Sequence, residues 1–169
     1  SDSPTIVKRR FLESYLSQKL FEVYEINDDE LDSVQSEELC RTLREIVPEF
    51  DVVIVADYGH SMLTADAIDV LCKNARFLAV NTQANAGNRG FNFISKYPRA
   101  DLVCLANHEI TLEERNRSRS VKDMILSVSE KLACPRVVVT MGKSGGVSYS
   151  KDEGFFEVPA FASHVVDRM

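Results

Sequence analysis

The sequence predicts an α/β fold with a mainly parallel sheet covered by helices on both faces, in three αβα layers. Four short apolar segments alternate with segments of helical period between residues 34 and 150, which is the pattern of βαβ units on a parallel sheet. An antiparallel strand pair precedes this region, and short antiparallel strands follow it, because the residues there have the shorter period of strands. With 169 residues, the chain fits one domain with a hydrophobic core.

Two extended segments open the chain and predict an antiparallel pair. They run from Thr5 to Glu13 and from Leu20 to Ile26. A helix follows, capped by Ser33 or Ser36 and ended by Pro48, since proline cannot continue a helix. Its apolar residues recur at helical spacing and are Leu39, Leu43, Ile46 and Val47.

The centre of the chain contains four strand candidates. The first, residues 51–56, is apolar, β-branched and too short for a helix, so we expect a strand that is buried on both faces. The other three cover residues 77–80, 102–105 and 137–140. Short antiparallel strands are then expected at residues 147–150, 154–158 and 165–167.

Capping signals mark the helices between these strands. Thr64 begins one helix, and residues 124–132 form another. The capping-box spacing occurs at Thr111 and at Ser120, each with an acidic residue three positions later. Each parallel strand is therefore followed by a segment that can cross back over the sheet.

Composition and charge exclude several functional classes. The formal net charge is −6, and no basic stretch alternates with aromatic residues, so nucleic acid is not an expected partner. No run approaches the roughly 20 apolar residues that a membrane helix needs. The first residues do not have the pattern of a signal peptide. These features predict a cytoplasmic protein that does not interact with membranes.

Cysteine and histidine spacing does not predict a metal site. The four cysteines lie about 30 residues apart without a C-x-x-C pair, which favours reduced thiols in the core of a cytosolic protein. The histidines share no metal-ligand spacing with each other or with the cysteines. These residues are Cys40, Cys72, Cys104, Cys134, His60, His108 and His164.

The strongest chemical signal is the glycine-rich turn Thr140–Gly146 after the last parallel strand. Ligands of open α/β sheets bind beyond the carboxyl ends of the strands. Glycines such as Gly142 and Gly145 allow a tight turn whose backbone N–H groups can cradle a phosphate. The turn lacks the spacing of a Walker A loop. A plain turn that joins two strands is the alternative interpretation.

Two other strand ends carry polar residues. Asp57 either caps the turn that follows it or binds a ligand hydroxyl or Mg²⁺. Residues 81–92 form a loop with four Asn, two Gly and one Arg. This loop is either simply solvated or binds hydroxyls or phosphate.

A basic cluster lies on the first strand. Alternation places Lys8 and Arg10 on one face and Arg9 on the other. The cluster either protects an edge strand from unwanted pairing or binds an anion.

These segments together resemble the ribokinase-like (pfkB) carbohydrate kinases, most closely the subgroup that phosphorylates heptose phosphate for ADP-heptose synthesis. The matching segments extend over nearly the whole chain. They are residues 4–11 (PTIVKRRF), 53–59 (VIVADYG) with Leu63-Thr64, 140–146 (TMGKSGG), and 158–160 (VPA) leading to 165–167 (VVD). The resemblance implies that the ATP γ-phosphate is transferred, with Mg²⁺, to the hydroxyl of a sugar or sugar phosphate.

The resemblance also assigns binding residues. The nucleotide would be lined by Thr140, Gly142 and Gly145, and Asn107 would lie near its phosphates. Lys8 and Arg10 would meet an anionic sugar, and Asp57 is a further substrate-binding candidate. In the family, the last segment continues into a D-T-x-G-A-G-D signature whose final Asp is the catalytic base. The match here reaches Asp167-Arg168-Met169, so we expect no catalysis by these 169 residues alone and assign no catalytic residue.

Two further departures concern substrate and metal handling. The family's N-x-x-E pattern is replaced by Asn107 with Glu109 one place early, and Asn81-Thr82-Gln83 stands where heptose kinases tend to have D-P-K. The first departure favours an alternative, a non-catalytic nucleotide- or sugar-binding module of the same fold. An unrelated doubly wound domain, such as a flavodoxin-like response module, is a second alternative, against which the antiparallel opening pair argues.

The predicted organisation is a single partial kinase domain. Residues 1–26 would form strands on the sugar side, residues 34–150 a core on the nucleotide side, and residues 151–169 the strands that lead to the catalytic signature. A homo-oligomer is left open.

Overall fold

A computed structural model describes residues 5–15, 18–27, 29–85, 87–88 and 90–161. Within these residues the chain forms eight strands and four α-helices. The strands are β1 (Val7–Leu12), β2 (Lys19–Glu25), β3 (Val53–Asp57), β4 (Leu78–Thr82), β5 (Leu102–Ala106), β6 (Arg136–Thr140), β7 (Gly146–Ser150) and β8 (Gly154–Val158). The helices are α1 (Ser33–Ile46), α2 (Ala65–Asn74), α3 (Asn107–Glu114) and α4 (Val121–Lys131).

The strands form two sheets. β1 and β2 pair antiparallel in a sheet of their own, as the sequence predicts. The other six lie in the order β3-β4-β5-β6-β7-β8. β3 to β6 are parallel, and β7 and β8 continue the sheet antiparallel. The predicted fold class is therefore confirmed, whereas the strand expected at residues 165–167 lies outside the described residues, as does His164.

Two of the predicted helix starts are confirmed. The Thr64 hydroxyl accepts a hydrogen bond from the backbone N–H of Ala67 and caps α2. Ser120 caps α4 in the same way by accepting from the N–H of Asp123. Each hydroxyl satisfies one of the N–H groups that a helix start leaves without an intrahelical partner.

Two other cap predictions are wrong. The α1 cap is Asp32, whose carboxylate accepts from the N–H of Gln35, and not Ser33 or Ser36. A carboxylate at this position also interacts favourably with the positive end of the helix dipole. Thr111 lies inside α3, and its hydroxyl donates to the carbonyl oxygen of Asn107 instead of capping a helix.

One face of strands β3 to β7 is mostly buried, and the opposite face is not. Val55, Val103 and Val139 on the first face are at most 6% exposed. Ile54, on the opposite face of β3, is 76% exposed. β3 is an outer strand of this sheet, so the prediction that strand 51–56 is buried on both faces is wrong.

The cysteines contribute to packing, as predicted. All four thiols are free, three are buried, and Cys104 is half-buried. Burial raises the pKa of the thiols of Cys72, Cys104 and Cys134, which suppresses the reactive thiolate form. In the described part of the chain, none of the helices has the length and apolar character needed to cross a membrane.

Candidate functional site

The carboxyl ends of the parallel strands bring several of the predicted residues to one edge of the sheet. Ala106 pairs in register with Thr140, so Asn107, the first residue of α3, lies beside the start of the glycine-rich turn. Asp57 pairs with Thr82 at the same edge. It is three strands away from Thr140, roughly 14 Å at the usual spacing between strands.

The glycine-rich turn has the backbone conformation that only glycine adopts easily. Gly142 and Gly145 have φ angles of 56° and 83°, in the left-handed region that disfavours a Cβ atom. The N–H groups of Met141, Ser144 and Gly145 donate to carbonyl oxygens within the turn, over 2.8 to 3.1 Å. These three donors are thus used internally, and the phosphate cradle stays a prediction for the rest of the turn.

A shallow groove of about 270 Å³ runs beside this turn. Thr140 and Gly145 line it together with Val158 and Pro159, the residues at the end of β8. Its wall is mainly apolar side chain and glycine backbone. A groove of this size and character suits a flat ring better than a charged group.

Asp57 is the centre of a buried polar network. Its side chain is 4% exposed, and its Oδ1 accepts from the N–H of Gly59 at 2.9 Å. Its Oδ2 accepts from the hydroxyl of Tyr97 and from the ammonium group of Lys96, each at 2.6 Å. The capping interpretation of Asp57 is therefore observed, whereas its role in substrate binding stays a prediction.

The network fixes the protonation state of Asp57. Burial alone would raise the pKa of this carboxyl, but the hydrogen bonds from Lys96, Tyr97 and Gly59 outweigh it and hold the pKa below its usual range. Burial and the neighbouring carboxylate raise the pKa of Tyr97. The pair therefore consists of an ionised carboxylate and a protonated phenol.

The asparagine-rich loop closes over the same strand end. Asn88 and Asn92 are buried, so the interpretation of a merely solvated loop is wrong for them. The side-chain amide of Asn92 donates to the carbonyl oxygen of Asp57 at 2.9 Å, and that of Asn88 donates to Gln83 at 2.9 Å and also to Tyr58. The two amides thus connect the end of β3 with the chain after β4.

Lys96 and Tyr97 are the members of this site that the sequence did not reveal. They follow the buried Ile94 in a short 3₁₀ turn. Lys96 also donates to the side-chain oxygen of Asn92 at 2.7 Å. Their shared partner Asp57 lies about 40 positions away in the chain, so no local motif could have identified them.

Glu109 has a structural position at this edge. It is 8% exposed, and one carboxylate oxygen accepts from the N–H of Ala84 at 3.0 Å. The other accepts from the N–H of Ala106 at 2.6 Å, at the start of α3. Its shift by one place from the N-x-x-E pattern thus coincides with a role in bracing the helix start against the loop.

The described residues do not fit a resident Mg²⁺ ion. No group of three or more His, Cys, Asp or Glu in the described ranges is arranged to hold a metal. The two buried carboxylates at the strand edge, Asp57 and Glu109, already accept hydrogen bonds with both oxygens. The Mg²⁺ prediction is therefore restricted to an ion carried by the phosphates of a nucleotide.

Lys8 and Arg10 lie on the separate β1–β2 sheet and, as predicted, on one face of it. Arg10 and, more distantly at 3.8 Å, Lys8 contact the carboxylate of Glu22 on the neighbouring strand. The hydrogen bond from Tyr24, together with Arg10 and the nearby lysines, lowers the pKa of Glu22 to about 2 despite partial desolvation. Arg9 pairs with Glu25 on the other face.

Several solved structures share this fold. The crystal structure of Sa239 is similar over 99% of this chain and 53% of its own, with a TM-score of 0.70 and 12% identity. Phosphofructokinase-2 from Escherichia coli in complex with fructose-6-phosphate covers 86% of this chain, with a TM-score of 0.61 and 16% identity; the match is 49% of that protein. The chain therefore has the same fold as these proteins, and the fold expected from its resemblance to the ribokinase-like carbohydrate kinases is confirmed.

Two sequence relatives carry the same name. The bifunctional protein HldE of Desulfatibacillum aliphaticivorans is 25% identical over 158 residues, which are 89% of this chain and 31% of the relative. HldE of Rhodopseudomonas palustris (strain BisB18) is 27% identical over 97% of this chain and 34% of its own length. This chain thus spans about a third of the length of these relatives. No protein-family model matches the sequence.

Proposed function

We propose that this chain is part of an ATP-dependent carbohydrate kinase that phosphorylates a sugar or sugar-phosphate hydroxyl, with a heptose phosphate as the favoured acceptor. The observation that carries the proposal is the similarity to HldE over 89% and 97% of the chain. The ribokinase-like fold supports it. Reduced thiols further favour action in the cytosol, where nucleotide is abundant.

The nucleotide is proposed to lie along the groove at Thr140 and Gly145, with Gly142 at its end. The apolar wall would take the base, and the exposed side chain of Asn107 would reach the phosphates from the start of α3. The N-terminal end of a helix favours negative charge, which supports phosphates there. Mg²⁺ bound to those phosphates would neutralise charge as the γ-phosphoryl group leaves.

The acceptor is proposed to carry a phosphate group. One structural neighbour is described in complex with fructose-6-phosphate, and Lys8 and Arg10 supply positive charge on one face of the β1–β2 sheet. Asp57 already accepts three hydrogen bonds, from Gly59, Tyr97 and Lys96, and its side chain is only 4% exposed, which leaves little access for a sugar hydroxyl. Lys8 and Arg10 are therefore the stronger candidates for substrate binding.

Turnover by residues 1–169 alone is not expected. Phosphoryl transfer needs a base to receive the proton of the acceptor hydroxyl, and both buried carboxylates at the strand edge are engaged in hydrogen bonds. The same observation favours the alternative function, a non-catalytic nucleotide- or sugar-binding module. A coupled assay with ATP and heptose phosphate or common hexoses tests the expected lack of turnover. Turnover that a substitution in this chain abolishes would contradict the expectation.

The nucleotide proposal predicts that Gly142→Val weakens the binding of a non-hydrolysable ATP analogue by at least about 1 kcal/mol, through backbone strain and a blocked approach. Gly142 has a φ of 56° and open space around the position of a Cβ atom. The loss would therefore come from strain and the new side chain rather than from a buried clash. Calorimetric titration of both proteins measures it, and equal affinities would remove the turn from the site.

The acceptor proposal predicts that Lys8→Ala weakens the binding of a sugar phosphate much more than the binding of the same sugar without its phosphate. A charge-assisted hydrogen bond contributes about 1.5–3 kcal/mol, and only the phosphorylated sugar can form it. The measurement is the dissociation constant of each of the two sugars at two salt concentrations, with the full-length protein. Small and equal effects on the two sugars would leave Lys8 as a charge that protects the strand edge.

A further inference from the structure

Three cations share one carboxylate on the face of the β1–β2 sheet that carries Lys8. Arg10 contacts Oε1 of Glu22 with its Nε atom. The ammonium group of Lys19 lies 3.6 Å from the same oxygen, and that of Lys8 lies 3.8 Å from Oε2. The hydroxyl of Tyr24 donates to Oε2 at 2.6 Å.

The charges of this cluster do not balance. Lys8 and Lys19 alone carry two positive charges against the single negative charge of Glu22, which Arg10 also contacts. The side chain of Glu22 is 11% exposed, whereas those of the three cations are 33% to 41% exposed. The carboxylate therefore lies beneath a layer of cations, and the excess positive charge faces outward.

The contacts also differ in strength. Arg10 and Tyr24 form hydrogen bonds with the carboxylate, but both lysines lie beyond hydrogen-bonding distance. Exposed ion pairs of this kind contribute at most about 1 kcal/mol. An incoming anion can therefore recruit the two lysines while Glu22 keeps Arg10 and Tyr24.

We propose that Glu22 is the built-in counter-ion of an anion subsite formed by Lys8, Arg10 and Lys19, and that it limits the affinity of this subsite for phosphate. In taking the natural ligand to be a sugar phosphate, the inference rests on the proposed function. Glu22 orders the cations in the absence of ligand and repels a phosphate that binds above them. Lys19 joins the binding residues, and Glu22 sets how tightly the subsite binds.

The opposite face of the same sheet provides a matched control. Arg9 pairs there with Glu25, next to the stacked rings of Phe11 and Phe21. Glu25→Gln removes the same charge from the same hairpin, but it does so on the face without the three cations. Any general effect of net charge or of hairpin stability would therefore appear in both variants.

The test is the affinity of the full 169-residue chain for inorganic phosphate, measured from the amide resonances of isotope-labelled protein. Glu22→Gln is expected to bind phosphate about two- to fivefold more tightly, the size of one surface charge interaction. Glu25→Gln should bind as the unchanged chain does. The difference between the two should shrink at high salt, because exposed charges are screened.

Lys19→Ala gives a second measurement that leaves the contacts of Glu22 with Arg10 and Tyr24 in place. It should weaken phosphate binding about two- to fivefold, and the resonances of Phe11 and Phe21 report whether the hairpin is still formed. The inference is overturned if Glu22→Gln binds no more tightly, if Glu25→Gln tightens equally, or if Lys19→Ala has no effect.

The sugar enters in a separate arm of the same experiment. Glucose 6-phosphate and glucose are titrated into the same variants. If Glu22→Gln changes the affinity for inorganic phosphate but glucose 6-phosphate and glucose bind equally well, the anion subsite is supported and the proposal of a phosphorylated acceptor is contradicted. If the sugar phosphate is preferred but Glu22→Gln changes nothing, the proposed function stands and the role of Glu22 fails.

Discussion

Gly145→Ala is expected to destabilise the protein by about 3 kcal/mol or more, because both the backbone angle and the space at this position require glycine. An ideal Cβ atom on Gly145 would lie 1.9 Å from the carbonyl oxygen of Val158 and 2.8 Å from the carbonyl carbon of Pro159. Both contacts are with backbone, so no side-chain rotation can relieve them. β8 would have to shift away from β7, with which it pairs along its whole length.

Gly142→Ala is the matched control for this prediction. Gly142 also has a positive φ, of 56°, but no atom lies within 4 Å of the position of its Cβ atom. Its substitution should therefore cost only about 1 kcal/mol of backbone strain. Urea unfolding of both variants gives the two free energies, and equal losses would show that the close approach at Gly145 does not contribute.

This contrast separates two roles that one glycine-rich motif suggested. Gly145 is required by the chain that crosses above it, whereas the space at Gly142 is open to a ligand. From sequence both glycines appeared as parts of a phosphate cradle. The close contact of Gly145 with residues 158–160 depends on how the turn packs against β8 and is invisible in the local sequence.

The parallel core could be predicted from the sequence because it depends on local residue patterns. The alternation of short β-branched segments with helical segments predicted β3 to β6, and hydroxyl caps located the starts of α2 and α4. The β1–β2 pairing and the common face of Lys8 and Arg10 followed from the period of two. These features depend on residues that are close in the chain.

The misses have non-local causes. Thr111 has the right spacing for a cap, but Glu109 already completes the capping at the start of α3, which begins earlier. The exposure of Ile54 depends on which face of β3 the other elements cover, since Val55 on the opposite face of the same strand is buried. Lys96 and Tyr97 reach Asp57 across about 40 positions. Sequence periodicity carries no information on such contacts.

The buried network around Asp57 leads to the second large prediction. Asp57→Asn, which keeps the shape and removes the charge, should destabilise the protein by about 2–3 kcal/mol at neutral pH. The partial exposure of Lys96, at 30%, lowers this figure from that of a fully buried pair, because water can solvate the ammonium group. Asp69→Asn is the control, since its contact with Lys73 lies at the surface and should contribute less than about 0.5 kcal/mol.

The effect of Asp57→Asn should depend on pH in a defined direction. The pKa of Asp57 is below its usual range, so its contribution is complete above the unfolded pKa of about 4 and is lost as the pH falls through the lower folded pKa. Urea unfolding at neutral pH and at about pH 3 should therefore show the difference between Asp57→Asn and the unchanged protein becoming smaller in acid. A difference that stays constant between the two conditions would mean that the ionised form of Asp57 is not what stabilises this strand end, and the network would then act through shape and neutral hydrogen bonds alone.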